Sequence, residues 1–431
     1  MKIQRLNLQL SSPDSQLRTI AVDLTPVLPG AENGGAKIFV LELLRRLVEL
    51  APQTQFVLLT QAAAHDELAT FDGPNVRRLM VLGQTAPNSP RSLMKKVFSR
   101  TLEYLPSRLR PAFGQISYRL FSASKRGESA TLLRKVNADL LFCPFTAPTY
   151  AEPTTPTVSV IYDLQYKAYP EFFLAEDVVH RQRTFVEACK RSTILTAISD
   201  FSRAEAIQEG GLNPAKINTI HLQISNDRLR DAEKDERVLG RLDIVGGEYL
   251  LYPANFWKHK NHEMLLTAFG MARKNGLVKN IKLVCTGALG VRQQWLQRAA
   301  KEMGLSESVL FPGYLSSAEF LALLRNSAGV VFPSLYEGFG LPVIEAMANG
   351  VPVACSNVTS LPEVAQDAAI MFDPRIPEQI AHAMISLVQD EKLKAGLIEA
   401  GAVRAAKFSN SKIMAHEYWK VFQQAVNRRS I

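Results

Sequence analysis

Gly329-Val-Val-Phe332, Pro333-Ser-Leu-Tyr-Glu-Gly-Phe-Gly340, Leu341-Pro-Val-Ile-Glu-Ala-Met-Ala348 and Asn349-Gly-Val-Pro-Val353 run on without a break, and this stretch decides the fold. Gly329 to Phe332 has the length and apolar content of a strand buried on both faces. Pro342 suits the first position of a helix and Gly350 the position just past its end, which bounds a helix at about Leu341 to Asn349. A second strand begins at once, at Val351. The unit is therefore strand, glycine-rich loop, helix, strand. Gly338 and Gly340 permit close backbone approach, and the first helical turn offers free N–H groups at a positive dipole end. Together they form a site for a phosphate or pyrophosphate. Glu337 lies in the loop and Glu345 one turn into the helix. Carboxylates beside a diphosphate repel it unless they face neutral hydroxyls, such as those of sugars and ribose. Alternatively, the two glutamates complement the helix dipole.

The same alternation extends outward in both directions. Upstream, strand-like runs fall at Thr19–Leu24, Phe56–Thr60, Leu79–Leu82, Leu140–Cys143, Val158–Tyr162, Ile194–Ile198 and Ile217–Leu222, with helical stretches such as Ala36–Leu50 and Val178–Lys190 between them. A charged run then leads into Val245-Gly-Gly247. The alternation restarts at Tyr249–Pro253 and continues through Ile281–Cys285, Val309–Phe311, Gly329–Phe332 and Val351–Ala354. The pattern predicts α/β architecture with two Rossmann-like, doubly wound parallel sheets facing across a cleft, where the carboxyl ends of the strands carry the site. We expect a first domain over 1–226 with a polar tail at 1–17, a linker over 227–247 and a second domain over 248–410. A final helix, 411–431, has apolar residues at helical spacing and is expected to pack back on the first domain.

Composition fits a globular chain: of 431 residues, 47% are hydrophobic and 21% charged. No apolar run approaches the ~20 residues of a membrane span. The four cysteines are far apart and read as buried thiols in a reducing cytoplasm. The net charge is +9, and the segment 86–135 alone holds eleven Lys or Arg against Glu103 and Glu128, an excess of the same size. Within it, Arg91, Lys95, Lys96, Arg100, Arg108 and Arg110 interleave with Leu93, Val97, Phe98, Leu102 and Leu105 at helical spacing. That pattern suits either a helix lying on an anionic membrane surface through 91–110 or the solvated face of a core-packed helix. No nucleic-acid-binding module accompanies the charge, so no nucleic-acid partner is expected.

The string Glu337-Gly-Phe-Gly-Leu-Pro-Val-Ile-Glu-Ala-Met-Ala348 resembles the signature of the retaining glycosyltransferases of family 4, which have the GT-B fold. Pro333-Ser334 and Gly350 to Val353 on its flanks extend the resemblance, as do Ser360-Leu-Pro-Glu363, Asp367-Ala-Ala369 and Phe372-Asp-Pro374. It covers roughly Tyr249 to Phe408. The resemblance implies that Glu345 binds the ribose hydroxyls of a nucleotide and Glu337 the transferred sugar, while N–H groups around Gly338, Gly340 and Leu341 meet the diphosphate. Lys260, before Asn261, fits the family's lysine on the diphosphate. Ala254 stands where the family has an arginine, and Lys258 is the substitute. In the first half, Asn33-Gly34-Gly35 resembles the family's glycine loop beneath the reaction centre. Tyr162-Asp163-Leu164 resembles its H-D-L, with Tyr162 in the histidine's place. Asp163 reads as an acceptor or sugar contact, or as a strand-end cap. Ser199 in Ser199-Asp-Phe-Ser-Arg203 reads as a nucleotide contact, or as a helix cap.

What the resemblance implies is transfer of a hexose, with retention, from a nucleoside-diphosphate sugar to a glycan or lipid-linked acceptor in cell-surface polysaccharide assembly. Mannose from GDP-mannose is the expected donor group, with UDP-glucose and related donors open. A sugar-nucleotide 2-epimerase is the alternative on the same fold. No resident cofactor is expected. Nor is a metal, because His259 and His262 lack a third ligand and no D-x-D motif is present. Neither half carries G-x-G-x-x-G after its first strand, which argues against a dinucleotide oxidoreductase. The expected setting is cytoplasmic, either free or peripheral on the inner face of the membrane.

Overall fold

A computed structural model describes residues 17–30, 34–83, 132–224, 237–313 and 315–428. Most of the polar tail, Asn33, the basic segment 91–110 and the 227–236 part of the expected linker lie outside the described residues.

Seven parallel strands form the first sheet, in the order β3-β2-β1-β4-β5-β6-β7. They are β1 (Thr19–Asp23), β2 (Gln55–Gln61), β3 (Val76–Leu82), β4 (Leu140–Cys143), β5 (Thr157–Ile161), β6 (Ile194–Ala197) and β7 (Ile217–Thr219). The second sheet has six parallel strands, ordered β10-β9-β8-β11-β12-β13. These are β8 (Tyr249–Pro253), β9 (Lys282–Thr286), β10 (Val309–Leu310), β11 (Gly329–Phe332), β12 (Val353–Ser356) and β13 (Ile370–Phe372). The order reverses between β1 and β4 in one sheet and between β8 and β11 in the other. A crevice opens there outside the carboxyl ends. The central strands are buried except at Thr19 of β1 and Pro253 of β8, which explains their apolar runs.

Numbering helices of eight or more residues, α1 (Gly34–Leu50), α2 (Ala175–Arg191) and α3 (Asp200–Gly210) belong to the first domain. The second contributes α4 (His262–Lys274), α5 (Val291–Glu302), α6 (Ser317–Arg325), α7 (Leu341–Ala348), α8 (Pro377–Gln389) and α9 (Glu391–Ala406). The stretch Arg237–Arg241 is a short helix, and Arg241 pairs with Glu319 of α6 at 2.7 Å. This part of the expected linker therefore touches α6.

The last helix, α10 (Ser411–Asn427), returns to the first domain. Its Tyr418 and Phe422 are fully buried, with ring centroids 5.6 and 5.0 Å from that of Phe142 on β4. Tyr418 also lies 6.3 Å from Phe39 of α1, and Ser411 Oγ accepts a hydrogen bond from Arg46 at 3.1 Å. Burying each aromatic ring contributes roughly 1.5–3 kcal/mol. The described residues contain no helix long and apolar enough to cross a membrane.

Candidate active site

The crevice of the second sheet is built by two loops. After β8 the chain reaches Asn261, whose left-handed backbone (φ 60°) turns its side-chain amide inward. That amide donates to the carbonyls of Pro333 at 3.1 Å and Pro374 at 2.8 Å. The Leu335 N–H donates to the His259 carbonyl at 2.7 Å. The loops after β8 and β11 are thereby joined. Their union brings Lys260 Nζ to 2.5 Å from Glu337 Oε1, each side chain only 12% exposed. Lys260 also lies 5.2 Å above the Phe332 ring. Glu337 is steadied through its backbone: its N–H donates to Thr359 Oγ1 at 3.1 Å, and its carbonyl accepts from Ser360 Oγ at 2.9 Å. Burial, reinforced by the Lys260 charge, pushes His259 down to about 4, so its imidazole is neutral at pH 7. His262 is enclosed by the rings of Tyr252 and Phe256, at 4.7 and 4.9 Å, and burial pushes it down to about 3.

The two loop glycines have packing reasons beyond any ligand. At Gly338 a Cβ would stand 2.5 Å from the Tyr162 carbonyl oxygen of the first domain. At Gly340, φ is 110° and a Cβ would stand 2.6 Å from Leu361 Cδ2. Gly338 thus lets the domains touch, and Gly340 lets the chain turn into α7 beneath Leu361.

The two helix starts meet across the cleft. A Cβ on Gly35, at the start of α1, would reach 4.0 Å from Leu341 Cδ1 at the start of α7. One on Gly34 would lie 3.7 Å from the Trp257 ring. Two positive helix ends and the Lys260 ammonium therefore converge, an arrangement suited to an anion. Glu345 sits half-buried on α7, and its carbonyl accepts from the Asn349 side chain at 2.8 Å. Lys258 is exposed and reaches the Glu171 carbonyl of the first domain at 3.4 Å, while Ala254 is buried.

From the first domain, Asp163 lies at the exit of β5. Its Oδ1 accepts from the Gln165 N–H at 3.1 Å, and burial raises its carboxyl, which Gln165 and Arg181 partly offset. Tyr162 turns its hydroxyl to the Pro144 carbonyl at 2.8 Å. Ser199 is fully buried as the cap of α3: its Oγ accepts from the Ser202 N–H at 3.0 Å, which is the helix-cap alternative seen in the sequence.

Sequence reasoning missed a set of contacts between the domains. The Tyr336 hydroxyl donates to Glu205 on α3 and accepts from the Leu164 N–H at 3.3 Å. Glu363 of the second domain caps α3, accepting from the Asp200 and Phe201 N–H groups at 2.8 and 3.0 Å. It also pairs with His221 Nε2 at 2.7 Å. The Glu363 hydrogen bond raises His221. Burial alone would raise Glu363, but His221 and the two amides hold it below its ordinary value. Asp200, His221 and Glu363 are the described residues whose spacing could hold an ion; His259 and His262 form no such group. The signal for these contacts was the Tyr preceding Glu337 and the S-D-F-S run, but neither names its partner.

Residues 241–404 match the family described as Glycosyl transferases group 1. O-antigen chain mannosyltransferase B of Escherichia coli is 30% identical over 254 residues, which is 58% of this chain and 66% of that protein. The serotype-specific mannosyltransferase WbdA of E. coli is 29% identical over 248 residues, 54% of this chain and 30% of that one. The chain thus spans just under two thirds of the first relative and under a third of the second. Among solved structures, Anabaena HepE in complex with UDP and glucose superposes with a TM-score of 0.67 at 13% identity, covering 94% of this chain and all of that one. The fold is GT-B: two Rossmann-like parallel sheets facing across a cleft.

Proposed function

We propose that this chain is a retaining hexosyltransferase. It moves mannose from GDP-mannose to a glycan or lipid-linked oligosaccharide in the assembly of surface polysaccharide. The observation that carries the reading is the Lys260–Glu337 pair beside the converging starts of α1 and α7. The donor diphosphate lies against those helix starts and Lys260, with Glu345 toward the ribose. Glu337 then exchanges part of its contact with Lys260 for a hydroxyl of the transferred sugar. As the bond from the anomeric carbon to the diphosphate oxygen breaks, the charge growing on that oxygen is met by Lys260 and the α1 and α7 amides. The acceptor hydroxyl attacks the anomeric carbon from the same face, forming the glycosidic bond, and its proton passes to the departing diphosphate oxygen. Asp163, raised by burial beside Gly338, is the first-domain residue proposed to contact the acceptor or the sugar.

The E. coli relatives, both mannosyltransferases by name, support the choice of mannose. HepE, solved with UDP and glucose, makes UDP-glucose the donor to compare. In this reading the reaction needs no metal or resident cofactor, and transfer is expected to persist undiminished in EDTA. The enzyme works in the cytoplasm at the inner membrane face, where the basic segment 91–110 meets anionic lipid.

A thermal-shift screen across GDP-mannose, UDP-glucose, ADP-glucose and dTDP-glucose tests the donor, because a bound donor raises stability by mass action. The largest shift is expected with GDP-mannose, and Glu345→Ala should reduce it. No shift with any nucleotide sugar would overturn the reading.

A further inference from the structure

The loop carrying Glu337 belongs to the second domain, yet the residues on either side of that glutamate are held by the first. On one side, Tyr336 is only 3% exposed and its ring packs edge-on against Phe201 and Tyr169, with centroids 5.8 and 6.5 Å away. Its hydroxyl donates to the Glu205 carboxylate and accepts from the Leu164 N–H. On the other side, the Gly338 backbone lies so close to the Tyr162 carbonyl that no Cβ fits. Ser202 Oγ sits 2.8 Å from that carbonyl and 3.3 Å from the carbonyl of Gly338, sharing its hydrogen between them. The second domain itself holds this turn through the Thr359 and Ser360 hydroxyls and through Lys260 on the Glu337 carboxylate.

Of these contacts, the one between Tyr336 and Glu205 has the strongest reason to form. Glu205 is half-buried on α3, where burial raises its carboxyl and Asp163 and Glu209 add unfavourable charge; the Tyr336 hydroxyl is what offsets this. A hydrogen bond to a carboxylate in such surroundings is stronger than one between neutral groups. Were the domains to part, both partners would return to water and the grip on the loop would be released.

We propose that Glu205 is a positioning residue for sugar transfer: through the Tyr336 hydroxyl, the first domain sets the aim of Glu337. The sugar contact is therefore assembled only in the closed state. Glu205 touches neither donor nor acceptor. Closure then does more than bring acceptor to donor, because it also completes the donor site. The inference rests on the hexosyltransferase reading above.

The test is steady-state transfer from the donor selected by the thermal-shift screen, with Tyr336→Phe, Glu205→Ala and Glu205→Gln compared to wild type. Tyr336→Phe and Glu205→Ala each remove the hydrogen bond and should lower kcat about tenfold or more, the scale of a slightly misplaced reacting group. Donor KM should stay within about twofold, because the nucleotide contacts on α7 are untouched. Glu205→Gln retains an acceptor for the tyrosine hydroxyl and should recover most of kcat. The double variant should be no worse than either single one, as expected for two residues acting through one contact. If the contact were only glue between domains, Tm and donor KM would change along with kcat and glutamine would not restore the rate; that result overturns the proposal. So does full kcat in both Tyr336→Phe and Glu205→Ala. A wild-type chain that transfers no hexose from any nucleotide sugar overturns the functional reading, and this inference with it; loss confined to the proposal leaves wild-type transfer intact.

Discussion

The two sheets share an arrangement, each with a central first strand and a reversal beside it, but their first strands end in opposite chemistry. β1 ends at Asp23, 1% exposed, whose Oδ1 accepts from the Thr25 N–H and hydroxyl at 3.0 and 2.6 Å. Its other oxygen has no hydrogen-bond partner among the described residues, and burial pushes the carboxyl up to about 6. Cys143, at the neighbouring end of β4, is buried beside it, and burial and Asp23 raise that thiol. β8 instead leads to Lys260, paired with Glu337. One switch point holds a lone carboxyl buried on all sides, and the other an oppositely charged pair that is 12% exposed at each side chain. Repeating a fold therefore does not repeat its site: in this chain the Lys260–Glu337 pair belongs to the second half, and the first brings the start of α1 and the contacts that hold the Glu337 loop.

Removing the cation should have the largest effect. Lys260→Ala is expected to lower hexose transfer by roughly 10²-fold or more, the scale of losing one charge-stabilising group. A rate near wild type would erase the distinction between the halves. Asp23→Asn probes the other switch point. A carboxyl raised from 3.8 to about 6 in the folded chain binds protons that the unfolded chain has released, so stability is lost as pH rises from about 4 to about 6. The loss amounts to about 2 kcal/mol, and thermal melts of Asp23→Asn should lack it. A wild-type and mutant pair with parallel Tm–pH curves would show that Asp23 titrates as it does in water.

Gly338→Ala should separate the halves without harming either. The added methyl meets the Tyr162 carbonyl, so transfer is expected to fall about tenfold or more while donor-induced thermal stabilisation persists. The smallest effect concerns the pair between Glu363 and His221, near Asp200 and Glu417. His221 is raised and Glu363 lowered, so the charged pair is complete between about pH 4.5 and 6.5. It is lost as pH rises through the His221 value or falls through that of Glu363. The closed population, followed by small-angle scattering, should be modestly larger at pH 6 than at pH 8.5, as for a partly exposed ion pair. His221→Ala should remove that difference.

Most of the architecture was legible because parallel strands covered on both faces read as uninterrupted apolar runs, as in Leu140–Cys143 and Gly329–Phe332. Two edges escaped. β3 begins three residues before the expected Leu79 because an edge strand tolerates Arg77 and Arg78, the latter pairing with Asp72 at 2.6 Å. β13, Ile370–Phe372, is too short to stand out from its neighbours. Within the site, the Glu337 loop and the α7 start could be read from one strand–loop–helix unit, whereas Lys260, on the loop after β8, is named only by the family resemblance. The roles of Glu205, Ser202, His221 and Glu363 could not, because their partners lie across the domain interface and leave no periodic mark. In the sequence Gly338 and Gly340 point to a ligand, and in the structure the neighbours that require them are Tyr162 and Leu361.

The return of α10 to the first domain also governs the order in which the protein can be completed during synthesis. Phe39 and Phe142 are made early, but Tyr418 and Phe422, which cover them, emerge about two hundred residues after β7. At translation rates of ~5–20 residues per second, that interval lasts on the order of 10–40 seconds. Through it the first domain exposes an apolar strip to its surroundings, while the second can already fold. A nascent chain stalled before residue 411 is therefore the form expected to engage chaperones most strongly, and the first domain alone the least soluble fragment.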